Sequence, residues 1–201
     1  MSIAENLEAI RARVDAACLS AGRAPSEVRL LAVSKTKPLA QLREAYEAGQ
    51  RLFGENYAQE LRDKARELEG VEWHFIGHLQ RNKVKYVAGV ATLVHAVDSL
   101  RLGEALASRS PGQGVLVEVN VGEEASKSGV LPGQVLELCQ RLSALDLRVA
   151  GLMTIPPAEG DPAPHFATMA ELASEGRRQG LDLRELSMGM SGDYLKALTY
   201  E

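Results

Sequence analysis

The feature that most constrains this chain is an alternation, repeated seven times, between a short apolar run and a stretch with helical periodicity. Parallel strands need a long crossover, and a helix in that crossover turns right-handed, so repeated strand–helix units dictate a parallel sheet covered by helices. One helix precedes the repeat: Ile3, Leu7, Ile10, Val14 and Ala17 recur at three and four, and Gly22 ends the pattern. Strands are expected at 29–34, 51–54, 72–76, 93–97, 114–121, 147–155 and 186–190. The first, Arg29 to Ser34, shows no internal alternation, as expected for a strand covered on both faces. Helices are expected from Pro38 to Gly49, Tyr57 to Leu68, Pro132 to Leu142 and Ala163 to Gln179.

This pattern suits either an open doubly wound sheet or a closed barrel. No Gly-x-Gly-x-x-Gly follows the first strand, so a dinucleotide fold lacks its main signal. Polar, Gly-containing segments follow many different strands: Ser34-Lys35, Gly54-Glu55-Asn56, Gly77-His78, Asn120-Val121-Gly122 and Gly189-Met190-Ser191. A barrel gathers all its strand ends on one face, whereas an open sheet does not, so the expectation is a TIM barrel.

Composition narrows the partners. With 201 residues and a net charge of −4, Lys and Arg interspersed with Asp and Glu, the charge balance argues against binding to a nucleic-acid backbone. A small phosphorylated ligand, held by a few backbone N–H groups, remains compatible. Cys18 and Cys139 are far apart and match no metal spacing. They read as small buried residues in a reducing compartment. No apolar run reaches the ~18 residues of a membrane span, and no signal peptide opens the chain, so a cytoplasmic location is expected.

Five places carry candidate chemistry. Lys35 ends the first strand, where a lysine amine can form a Schiff base with an aldehyde; Lys37, two residues on, is its rival. Asn56 follows the second strand and suits either a helix cap or an aromatic hydroxyl. His74 lies in the third strand with no second His or Cys at ligand spacing, which argues against a metal. Lys127, in Ser126-Lys127-Ser128-Gly129, lies in a polar turn after the fifth strand and suits an anionic ligand or a competing amine. Ser187, Met190 and Ser191 end the seventh strand, where backbone N–H groups at a helix start suit phosphate.

Six segments in order, LLAVSKTKP, FGENY, WHFIGHLQRNK, the NVG–SKSG pair, GLMTI and SMGMSGD, together resemble the YggS/PROSC family of pyridoxal phosphate homeostasis proteins over nearly the whole chain. The resemblance implies a TIM barrel like the N-terminal domain of alanine racemase. It also implies that Lys35 forms an aldimine with pyridoxal 5′-phosphate. Asn56 then lies beside the cofactor ring and His74 beneath it, Lys127 near the entrance, and Ser187, Met190 and Ser191 in the phosphate wall. Family members continue into an eighth strand bearing an Arg, a Gly-rich phosphate turn and a last helix, whereas this sequence ends at Leu195-Lys196-Ala197-Leu198-Thr199-Tyr200-Glu201. A single barrel domain over 1–201 without its eighth strand is therefore expected. The implied function is a monomeric carrier in vitamin B6 homeostasis, transiently meeting apo-enzymes. The alternative is an amino-acid racemase, which needs acid–base groups on both faces of the substrate. Tyr57 and Tyr86 are the tyrosines near the motifs, and neither is clearly placed to supply the second. A third reading is a barrel for some other phosphate ester.

Overall fold

The computed structural model describes residues 2–200; Met1 and Glu201 lie outside them. Helix α1 (Ile3–Ser20) opens with a capping box: Ser2 Oγ accepts from Glu5 N, and Glu5 Oε2 accepts from Ser2 N. Seven strand–helix units follow. They are β1 (Ala32–Val33), α2 (Leu39–Glu47), β2 (Leu52–Glu55), α3 (Ala58–Glu67), β3 (Glu72–Phe75), α4 (Val84–Val87), β4 (Leu93–Val97), α5 (Leu100–Arg109), β5 (Gly114–Glu118), α6 (Val135–Ser143), β6 (Arg148–Met153), α7 (Ala163–Arg178), β7 (Glu185–Ser187) and α8 (Tyr194–Ala197).

The strands form one parallel sheet in chain order, β1 to β7. Its curl is visible in bonds that span its concave side. Arg29, before β1, reaches Glu185 of β7 at 3.1 Å and Glu72 of β3 at 3.2 Å, and His95 of β4 reaches Ser187 of β7 at 2.8 Å. This is the expected barrel architecture with seven strands; among the described residues there is no eighth, and β1 and β7 are the two edges.

Two apolar layers follow from strand alternation. Outward residues such as Phe53, Phe75, Val94, Val115, Val117 and Leu152 pack against the helices in the main core. Inward residues Leu93, Ala96, Leu116, Ala150 and Met153 form a smaller cluster on the concave side. Gly151 admits the close approach of β7: a Cβ there would lie 1.9 Å from Glu185 O.

The edge position of β1 corrects one expectation. Its regular pairing shrinks to Ala32–Val33, and Val33 is 49% exposed rather than covered on both faces, because β1 has a neighbour on one side only. The fifth strand also ends early, at Glu118, with Val119 joining Val130 in an isolated bridge. Cys18 and Cys139 are fully buried, as read. Among the described residues no helix is long and apolar enough to cross a membrane, and no group of three or more His, Cys, Asp or Glu is placed to hold a metal.

Candidate functional site

The mouth at the C-terminal ends of the strands is built from β1 outward. Leu30 and Ala32 pack on the helix-side core, and Ser34 bonds to a cluster on α3, so alternation turns Leu31, Val33 and Lys35 toward the concave side. Lys35 is exposed and has no hydrogen bond or ion pair with any described residue. Its backbone, by contrast, is held tightly. Ser34 N donates to Gly54 O at 2.9 Å, extending the ladder one residue past β1, and Lys37 N donates to Ser34 O at 3.1 Å, closing a four-residue turn. Thr36, its third residue, has φ +61, which turns of this kind normally give to Gly or Asn. Lys37, the last residue of the turn, is exposed.

Behind that turn lies a charged cluster that the sequence reading missed. Lys64 Nζ of α3 donates to Ser34 O at 2.6 Å, Glu55 Oε1 at 2.7 Å and Glu60 Oε1 at 2.6 Å. Ser34 Oγ donates to Glu55 Oε1 at 2.6 Å, and Thr36 N donates to Glu60 Oε1 at 2.8 Å. Glu55 is wholly buried and Lys64 nearly so. Burial raises the Glu55 pKa, against the pull of Lys64 and Ser34. Glu60 and Lys64 are four apart on α3, a helical spacing that was available as a signal.

Asn56 follows β2, level with Lys35 by the register Val33↔Gly54. It does not cap α3, whose cap position is Tyr57. Its Oδ1 is instead buried without a hydrogen-bond partner, an atom that a ligand hydroxyl would satisfy. Gly77 keeps this corner tight, since a Cβ there would lie 2.2 Å from Asn56 O.

His74 is not alone. Its Nδ1 lies 2.8 Å from Nε2 of His95, a residue absent from the sequence reading, and its Nε2 lies 2.9 Å from Glu72 Oε1. His95 Nδ1 lies 2.8 Å from Ser187 Oγ. Burial lowers both histidine pKa values, that of His95 to about 3 with further depression from His74. Both rings are therefore neutral near pH 7 and carry one N–H each. The Glu72 carboxylate only accepts, so His74 donates to it from Nε2 and accepts at Nδ1. His95 then donates from Nε2 and accepts at Nδ1, from the Ser187 hydroxyl. The Ser187 oxygen thus offers only lone pairs to the mouth. His74 and His95, 21 positions apart, meet across the neighbouring strands β3 and β4, whereas Ser187, 92 positions from His95, is brought there by the curl of the sheet.

Glu118, inward at the end of β5, has its pKa pushed up to about 7 by burial and then by Asp98. Nothing in the local pattern around Glu118 signals this, since the effect needs the enclosed concave side. Lys127 lies in the loop after β5 and is engaged: it pairs with Glu124 at 2.7 Å and donates to Pro156 O at 3.2 Å. Asn120 ties that loop to the strand end through two bonds with the Glu124 backbone.

The Ser187–Ser191 wall differs from expectation. The last helix, α8, is a single turn starting at Tyr194 with Asp193 at its cap position, so Ser191 is an exposed loop residue, not a cap. Asp193 Oδ1 accepts from Met190 N at 2.5 Å, occupying one N–H expected for phosphate. Met190 is 53% exposed. Of the tyrosines, Tyr57 is exposed after β2. Tyr86 belongs to α4 on the outer layer, where Arg62, Lys83 and Lys85 lie over its ring.

A concavity of about 690 Å³ elsewhere, between α3 and α4, includes Arg66, Lys85 and Arg109 in its lining. These cations occupy the last turns of α3, α4 and α5, where they offset the helix dipoles. That charge balance accounts for them without a ligand.

The curled parallel sheet, with a lysine unpartnered among the described residues in the turn after β1, is of the alanine racemase N-terminal class, as the family match shows. The family model for the alanine racemase N-terminal domain matches residues 5–201, and alanine racemase from Corynebacterium glutamicum shares the fold, with TM-score 0.71 at 17% identity over 97% of this chain and 58% of that one. Within that class the chain belongs to the pyridoxal phosphate homeostasis protein family. It is 44% identical to the pyridoxal phosphate homeostasis protein of Vibrio cholerae, covering 98% of this chain and 89% of the relative. It also superposes on PipY of Synechococcus elongatus, solved with PLP bound, at TM-score 0.83 and 34% identity over 98% of this chain and 93% of PipY.

Proposed function

We propose that this chain binds pyridoxal 5′-phosphate through Lys35 and serves to hold and release it in vitamin B6 homeostasis. One observation carries the reading: the mouth holds an unpartnered lysine on a fixed turn, level with a buried Asn56 Oδ1 that lacks a hydrogen-bond donor. When bound, the cofactor would supply an aldehyde, the group that the Lys35 amine could hold with loss of water. Asn56 Oδ1 would receive a hydroxyl of the cofactor, and His74, fixed by Glu72 and His95, would stand beside it. Ser187, Met190 and Ser191 form one wall of the mouth, in which Ser191 and the loop N–H groups left free by Asp193 meet the phosphate. Lys127 stands near the entrance, its charge already shared with Glu124.

Holding rather than turnover fits the acid–base inventory. Tyr86 lies outside the barrel and Tyr57 faces solvent, so neither stands opposite Lys35 as racemisation needs. The protein acts as a monomer, and its partners beyond the cofactor are apo-enzymes met transiently. The test is a spectrophotometric titration with pyridoxal 5′-phosphate. A visible band that saturates at one equivalent and is lost in Lys35→Ala, with circular dichroism unchanged, supports the reading. A band of full strength in Lys35→Ala overturns the assignment of the lysine.

A further inference from the structure

We propose that Glu55, Glu60 and Lys64 are positioning residues for Lys35: together they hold the Ser34–Lys37 turn in the conformation that offers the Lys35 amine, and not that of Lys37, to the mouth. The proposal deepens the cofactor reading and rests on it.

The geometry is specific to the two residues flanking Lys35. On one side, Ser34 is fixed at its carbonyl, which accepts from Lys64 Nζ as well as from Lys37 N, and at its hydroxyl, which donates to Glu55. On the other, the Thr36 amide donates to Glu60. Lys64 joins the two carboxylates through bonds of 2.7 and 2.6 Å, so both flanks are braced against one ammonium group. Lys35 itself is left without a partner. A clamp that grips positions 34 and 36 and leaves 35 free is what a presented nucleophile requires.

The clamp also has something to hold. Thr36 at φ +61 is a β-branched residue in the left-handed region, a conformation that persists only where surrounding structure imposes it. Released, Thr36 returns to negative φ, the turn opens, and the side chains of Lys35 and Lys37 exchange places or share the mouth. The charges facing the clamp come from β2 (Glu55) and α3 (Glu60, Lys64), and Ser34 and Thr36 contribute only dipoles.

The experiment incubates the full chain and its variants with pyridoxal 5′-phosphate, reduces with borohydride, and maps the labelled peptides while following the rate at which the visible band grows. Glu60→Gln keeps an oxygen for the Thr36 amide; Glu60→Ala does not. The expected result is wild-type rate and exclusive Lys35 label in Glu60→Gln. In Glu60→Ala, capture slows about tenfold to a hundredfold, as for a nucleophile displaced by about 1 Å, and label spreads to Lys37. Adding Thr36→Gly to Glu60→Ala restores the label to Lys35, since Gly adopts positive φ without strain. Lys64→Met gives the larger effect if it folds; Glu60, at the outer side of the cluster, keeps the test informative if it does not. Folded Glu60→Ala with wild-type rate and label position overturns the clamp. Absence of label on the unmodified protein instead overturns the cofactor reading, and this proposal with it.

Discussion

The turn that carries Lys35 and the loop that carries Lys127 present two lysines at the same mouth in opposite ways. At Lys35 the backbone is braced from α3 by buried charge and the side chain is free. At Lys127 the side chain is engaged by Glu124 and Pro156. Capture at Lys127 must first break its contacts with Glu124 and Pro156, whereas Lys35 has no hydrogen bond or ion pair with a described residue to give up. The difference teaches that position at a strand end does not make a nucleophile; the division between fixed backbone and free side chain does.

The contrast breaks most sharply on covalent capture. Lys35→Ala abolishes the visible band formed with pyridoxal 5′-phosphate, and Lys127→Ala keeps its full amplitude; loss in both variants would erase the distinction. Stability gives the next largest effect. Lys64→Met leaves Glu55 as an uncompensated buried charge and costs about 3–5 kcal/mol, read as a lowered urea midpoint. Lys127→Met removes a part-exposed pair and costs about 0–1 kcal/mol.

A third test extends the comparison to Glu118, inward at the end of the strand that leads to the Lys127 loop. Its pKa rises on folding to about 7, so the folded state favours its protonated form. That stabilisation is complete below pH ~4.5 and is lost as pH rises to about 7. Glu118→Gln flattens this loss by about 1–2 kcal/mol, after allowance for partial solvent access. The two buried histidines slope the other way: their folded pKa values are depressed, so their contribution is present above ~6.5 and lost as pH falls. Denaturation midpoints of Glu118→Gln and wild type across pH 4–8 check the sign; parallel curves would contradict it.

The smallest effect concerns backbone strain, which each region contains. Thr36 has φ +61 and Glu123 has φ +52. Relief of strain competes with the entropy of Gly, so both Gly variants shift stability by less than about 1 kcal/mol. Thr36→Gly is the more favourable of the two, because a β-branched residue is the worse fit to positive φ. Thermal midpoints in the reverse order would place the greater strain in the Lys127 loop.

Much of the fold was legible because strand–helix alternation is a local property: all seven strands lie where apolar runs predicted them. Edges were not, since Ala32–Val33 reads like an interior strand until the sheet shows it has one neighbour. The places of Lys35 and Asn56, just after the first two strands, were legible because local apolar runs set where those strands end. His95, Glu55, Lys64 and Glu118 were not, because their roles arise from partners brought across the sheet or from burial. Ser191 was read as opening a helix from its Ser-Gly setting, yet Asp193, two residues on, takes that place.

The central claim is tested most directly by borohydride reduction of the purified protein with one equivalent of pyridoxal 5′-phosphate, followed by peptide mapping by mass spectrometry. The account predicts a single reduced adduct on the peptide containing Lys35, with Lys37 and Lys127 unmodified. Adduct on Lys127, or spread evenly over the three lysines, would contradict it.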